Sequence, residues 1–166
     1  MNVAICDDNM AIYEQLHNLL SEFSHQYGQE IKVFDFMNAQ EVLDYIHDEK
    51  AVKMDLLLLD IEMDGLDGIA LNQYLIGNNK IAWIVYISNF VERMSEAFSE
   101  KTLGFISKPI DKEKLFIKVL EVSKKITQSN LKITIKDIHD TVHTIYLENI
   151  EYFEALRGYT KIHLYP

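Results

Sequence analysis

The stretch MDLLLLDIEMDGLDG, residues 54 to 68, sets Asp60, Glu62, Asp64 and Asp67 within eight residues, directly after four leucines. Three chemistries suit such a cluster: a calcium loop, a nucleophilic aspartate, or a solvated turn. Asp60, Glu62, Asp64 and Gly65 imitate the opening of an EF-hand loop, but its twelfth position needs a bidentate glutamate and holds Leu71. The leucines also have the character of a buried strand, not of an entering helix.

Support for an aspartate nucleophile comes from other parts of the chain. Asp7 and Asp8 follow the apolar run NVAIC, Ser88 closes AWIVYIS, and Lys108 follows TLGFIS. If those runs are parallel strands, all these residues sit at strand carboxyl ends, where open α/β sheets bind their ligands. Carboxylates at 7, 8 and 60 supply hard oxygen ligands for Mg²⁺, while Lys108 and the Ser88 hydroxyl can hold phosphoryl oxygens. Phosphoryl transfer needs mainly positioning and charge neutralisation, which one metal and one lysine provide. Asp60 is then the attacking carboxylate, since the metal offsets its repulsion from phosphate. Singly, each of these residues could be a solvated strand end, and Asp8 or Asn9 could cap a helix. Four of five strands ending in complementary groups favours the joint functional reading.

The elements that must position these groups alternate. Strand-like runs occupy 2 to 6, 31 to 36, 54 to 60, 82 to 88 and 102 to 107. Ile12, Leu16, Leu19, Leu20 and Phe23 form one helical stripe. A second helix opens at Asn38 with Glu41 three residues on, as in a capping box. A third runs from about Gly68 to Ile76, a fourth from about Val91 to Phe98, and a fifth from Asp111 to about Thr127. Five alternations imply a parallel sheet with helices on both faces. After residue 127 the pattern becomes β-rich with polar turns. We therefore divide the chain into 1–127 and a β-rich piece, 128–166.

Composition narrows the function further. The 26 acids against 16 bases give a net charge of −10, unsuited to general binding of a phosphate backbone. Residues 1–127 hold 21 acids and 12 bases, leaving 5 and 4 beyond, so the acidity belongs to the first domain. No basic and apolar leader and no membrane-length apolar run is found, which predicts a cytoplasmic protein without membrane contact. The single cysteine, Cys6, reads as a core residue, and His17 and the other histidines lack metal-ligand spacing.

The ordered set CDD (6 to 8), LLLLD (56 to 60), YIS (86 to 88) and KP (108 to 109) resembles the receiver domain of a two-component response regulator. The resemblance spans about residues 1 to 125. It implies a flavodoxin-like doubly wound (βα)5 fold with strand order 2-1-3-4-5, and Asp60 as the phosphoacceptor served by a histidine kinase. It also implies Mg²⁺ bound directly by Asp8 and Asp60, through water by Asp7, and by the main-chain carbonyl of Glu62. Lys108 and Ser88 would contact the phosphoryl group, and the bond before Pro109 would be cis. Ser88 and Phe105 would form a switch that reshapes the face of the fourth helix, fifth strand and fifth helix, favouring a homodimer. SNFVERMSEAF and LGFISKPI resemble the LytTR class more narrowly. IYLENIEYFEALRGYTKIHL is similar to the first strands of a LytTR DNA-binding domain, incomplete here. Transcription regulation through DNA would then require a complete LytTR domain.

Two positions depart from that pattern: Asp64 stands where the family usually has proline, and Asn89 where a small residue is usual. Asp64 is expected to add a carboxylate near the metal, and Asn89 to crowd the phosphoryl group. Two rival readings remain. A haloacid-dehalogenase-like phosphatase also uses an aspartate nucleophile with Mg²⁺, but its general acid two residues on would be aspartate, here Glu62, and its nucleophile precedes the acidic pair. The other rival is a stand-alone receiver serving only as a dimerisation module.

Overall fold

The computed structural model describes residues Met1 to Tyr165, apart from the side chain of Val91. Five strands, β1 (Asn2–Cys6), β2 (Lys32–Phe36), β3 (Met54–Leu59), β4 (Ile81–Ser88) and β5 (Thr102–Ser107), form one parallel sheet in the order β2-β1-β3-β4-β5. The order reverses between β1 and β3, the place where such sheets open a crevice at their carboxyl ends. Leu56 to Leu59 are all buried, because a central strand covered on both faces has no polar side.

Helices α1 (Met10–Tyr27), α2 (Ala39–His47), α3 (Gly68–Leu75) and α4 (Lys112–Ser129) cover the sheet. Ala4, Cys6, Leu57, Leu59, Ile84 and Tyr86 share one buried cluster with Val42, Leu43 and Ile46 of α2 and Leu71 and Leu75 of α3. The alternate strand residues point to the other face. There α1 and α4 meet, with the Phe23 and Phe116 rings 5.2 Å apart, edge to face.

Side chains start all four helices, Asp111 accepting the Lys114 N–H at 2.9 Å ahead of α4. The Asn9 carbonyl accepts the Ala11 N–H at 2.9 Å, and Asp67 accepts the Ala70 N–H at 2.7 Å. At α2 the Asn38 side chain accepts the Glu41 N–H at 3.0 Å, but Glu41 reaches back one residue further than a capping box, to the Met37 N–H at 2.8 Å. The fourth helical segment differs from the sequence expectation, since Val91–Ala97 is a 3-10 helix and not an α-helix. Phe90 offers it no side-chain cap. At its far end the Ala97 carbonyl accepts from Asn72 Nδ2 at 3.3 Å and Thr102 Oγ1 at 2.9 Å.

The chain forms two compact units, Met1–Val122 and the residues from Ser123 onward, with α4 continuing to Ser129. In the second, β6 (Lys132–Lys136) pairs with β7 (Val142–Tyr146), and β8 (Ile150–Leu156) with β9 (Tyr159–Leu164), as two antiparallel hairpins. None of its described residues is buried, and Phe153 and Tyr152 are largely exposed. Among the described residues, no helix is long and apolar enough to cross a membrane.

Candidate functional site

Register alone brings the predicted residues together. Cys6 of β1 lies opposite Leu59 of β3, so Asp7 and Asp60 are the next residues on adjacent strands. The Asp60 N–H donates to the Cys6 carbonyl at 2.9 Å and carries the ladder one residue beyond β3. On the other side Ser88 pairs with Ser107, and the Lys108 N–H donates to the Ser88 carbonyl at 3.2 Å. The Lys108-Pro109 peptide bond is cis.

The centre of the site is an ammonium shared by two carboxylates. Lys108 Nζ lies 2.5 Å from Asp60 Oδ2 and 2.8 Å from Asp7 Oδ2, with both acids almost fully buried. Burial alone would lower the Lys108 pKa, but its bonds to Asp60 and Asp7 hold it above the ordinary lysine value. Burial pushes the Asp7 carboxyl up, and the hydrogen bonds from Lys108 and the Asn9 N–H offset only part of this. Asp8 is exposed at the mouth, and its Oδ2 accepts the Asp64 N–H at 3.3 Å.

Oxygens of Asp7, Asp8 and Asp60 all lie within 4.8 Å of one another. Three carboxylates without histidine or thiolate form a hard, all-oxygen donor set, which fits Mg²⁺. Asp64 is exposed and does not belong to this group. Glu62 is also exposed, and its N–H donates to Asp60 Oδ1 at 3.3 Å. Cys6 is buried, with Sγ 3.6 Å from Met63 Sδ, and burial raises its thiol pKa far out of the reactive range.

Ser88 is buried at the end of β4, its Oγ accepting the Phe90 N–H at 3.3 Å. Phe105 is half-buried between two rings: Tyr86 stacks on it at 5.0 Å, and Phe98 meets it edge-on at 5.5 Å. A cavity of about 200 Å³ beside it is lined by Ser88, Ile61, Phe90, Met94 and Phe105. One contact was not legible in the sequence: Arg93 reaches the α3 cap Asp67 at 2.9 Å, tying the segment after Ser88 to the loop after Asp60. No spacing rule announces a pair 26 residues apart.

Comparison with known proteins gives the family. Residues 3–120 match the family model of the response regulator receiver domain. The chain belongs to that family. The receiver is 30% identical over 130 residues to the positive alginate biosynthesis regulatory protein of Pseudomonas aeruginosa, covering 78% of this chain and 48% of that one. It is 28% identical over 129 residues to the sensory transduction protein LytT of Enterococcus faecalis, covering 78% and 50%. An uncharacterised response regulatory protein of Yersinia pestis is 27% identical over 164 residues, covering 93% and 66%. The chain thus spans about half to two thirds of the length of these relatives. Among solved structures, the response regulatory domain of protein mrkE from Klebsiella pneumoniae superposes with a TM-score of 0.65 at 22% identity, covering 77% of this chain and 99% of that one. That likeness supports the flavodoxin-like fold with strand order 2-1-3-4-5, to which this chain adds a β-rich extension. Residues 3–120 are thus the receiver domain of a response regulator.

Proposed function

We propose that the receiver accepts a phosphoryl group on Asp60 from a histidine kinase. The observation that carries this reading is the Lys108 ammonium bridging Asp60 and Asp7, with Asp8 close enough to share a cation. Asp7, Asp8, Asp60 and the Glu62 main-chain carbonyl would hold Mg²⁺. When bound, the metal supplies charge neutralisation at the attacking carboxylate and at a phosphoryl oxygen. An Asp60 oxygen bonds to phosphorus while the bond from phosphorus to the donor's histidine nitrogen breaks, and that nitrogen leaves with the electron pair. Lys108 then trades its contact with Asp60 for a phosphoryl oxygen, and the Ser88 hydroxyl donates to another.

Ser88 drawn toward the phosphoryl group would leave room into which Phe105 turns. That movement reshapes the surface made by the 91–97 segment, β5 and α4, and favours a homodimer. The β-rich residues 128–166 represent the start of a LytTR-type output, and DNA binding would run through a complete LytTR domain in transcription regulation. The motif likeness and the similarity to the sensory transduction protein LytT of Enterococcus faecalis support this output.

Intact-mass analysis after incubation with Mg²⁺ and a small acyl phosphate tests the acceptor. One phosphoryl mass should be gained, and lost again in Asp60→Asn. Absence of the gain, or its persistence in the variant, refutes Asp60 as acceptor. Steady release of free phosphate from many substrates would instead favour the haloacid-dehalogenase-like phosphatase. Gel filtration with and without the phosphoryl group tests the dimer.

A further inference from the structure

The pairing of β4 with β5 contains a fault that sets the position of Phe105. Adjacent residues Ile84 and Val85 face Thr102 and Gly104, so Leu103 is an extra residue, a β-bulge. Beyond it, Phe105 faces Tyr86 and Ser107 faces Ser88. Without the bulge every later residue of β5 would slip by one. Gly104 would face Tyr86 and Ile106 would face Ser88, turning Phe105 to the wrong side of the sheet. The bulge is therefore a registration device for the half of β5 that carries Phe105 and leads to Lys108.

Three features meet at this bulge. Gly104 has φ 154°, a backbone region that disfavours side chains. The space a Cβ would occupy there is already taken: it would lie 2.8 Å from Lys118 Cε and 3.1 Å from Lys118 Nζ. From that place Lys118 Nζ donates to the carbonyl of the extra residue, Leu103, at 2.6 Å, and is oriented by Glu121 at 3.2 Å. The side chain is only 26% exposed.

We propose that Lys118 is a positioning residue for the phosphorylation switch: it pins the Leu103 bulge through the gap left by Gly104, and so holds Phe105 in its stack on Tyr86. This rests on the receiver reading above. Losing the pin frees β5 to sample the second Phe105 position before any phosphoryl group arrives.

The test uses the whole chain labelled with 4-fluorophenylalanine, with the Phe105 line assigned by Phe105→Leu and followed by fluorine NMR. Wild type should show one Phe105 line that moves to a second position on adding Mg²⁺ and beryllofluoride, a phosphoryl mimic. Lys118→Met keeps the stem over Gly104 but removes the donor. Without beryllofluoride its Phe105 line should already lie part-way toward that second position, with the second state populated about fivefold more than in wild type, the effect of one lost hydrogen bond of ordinary net strength. Lys118→Arg, which keeps a donor on a long stem, should restore the wild-type spectrum. Wild type that responds beside a Lys118→Met protein with an unchanged Phe105 line overturns the positioning role, whatever happens to its melting temperature. So does an equal change in Lys118→Arg. Wild type that fails to respond overturns the receiver switch itself, and the pin with it.

Discussion

Replacing Lys108 by methionine keeps the volume of the side chain and removes its charge, which isolates what the ammonium does. Asp7 and Asp60 would then face each other nearly dry, their side chains 2% and 8% exposed, with no counter-ion. Two unit charges within 4.8 Å of each other, as the clustered oxygens are, repel by at least about 3.5 kcal/mol at an effective dielectric constant of about 20. This matches the ~3–5 kcal/mol cost of removing one partner from a buried ion pair. Urea unfolding at pH 8 in EDTA should therefore show Lys108→Met less stable than wild type by about 3 kcal/mol. Millimolar Mg²⁺ should close most of that gap, because a cation shared by Asp7, Asp8 and Asp60 replaces the missing charge and binds the folded state alone. The gap should also shrink as the pH falls toward the ordinary carboxylate pKa of about 3.9, where a proton can take the place of the ammonium. A loss below about 1 kcal/mol in EDTA, or one of equal size with and without Mg²⁺, would refute the view that Lys108 balances a metal-ready carboxylate cluster.

Other perturbations test the supports around the site. Gly68→Ala would drive a Cβ into the Asp60 carbonyl oxygen, which is main chain and cannot step aside, so unfolding should show a loss of about 1–3 kcal/mol together with weaker Mg²⁺ binding. Unchanged stability would mean that the loop after Asp60 is slack. Tyr86 has the one buried side-chain polar atom without a hydrogen-bond partner among the described residues, so Tyr86→Phe should stabilise by about 1 kcal/mol, and a loss in denaturant midpoint would reveal a partner. Burial pushes the Asp67 pKa up, but the Ala70 N–H and Arg93 outweigh it and hold the carboxyl below the ordinary range. Its contribution is thus complete above about pH 3.9 and lost as the pH falls through the lower folded value. Asp67→Asn, which still caps α3, should flatten that acid limb of the stability curve, and an unchanged slope would contradict the ion pair with Arg93. Asp64→Pro removes the N–H that Asp8 accepts and should alter Mg²⁺ affinity, whereas Asp64→Ala keeps it and should not. Equal affinities in the two variants would defeat that distinction.

The Asp64 pair of variants arises from a place where sequence reading and structure diverge. By residue type, Asp64 was the fourth carboxylate of a cluster. In the fold its side chain is exposed and outside the group, and its contribution is a backbone N–H to Asp8. Residue type does not reveal that, because whether a side chain or its main chain faces a site depends on loop geometry beyond the strand. Residues that end strands behave differently. Asp7, Asp60, Ser88 and Lys108 meet because parallel pairing fixes their neighbours, and the apolar runs before them fix the pairing. The helices with a strong apolar stripe were legible for the same reason. The 91–97 segment was not, since its far end is bound by Asn72 and Thr102 from other elements and its capping residue offers no bond.

The bulge at Leu103 lies at the limit of this logic. TLGFIS reads as a strand of six residues, and the glycine inside it is the only local sign that pairing slips there. Strand periodicity alone, counted from Thr102, would put Gly104 opposite Tyr86 and Phe105 on the opposite face of the sheet. The switch side chain thus owes its place to one extra residue, and that residue owes its place to a lysine from a helix fourteen positions beyond Gly104. In a strand at the sheet's edge, with no neighbouring strand on its far side among the described residues to enforce register, such a pin can carry information that the ladder itself does not.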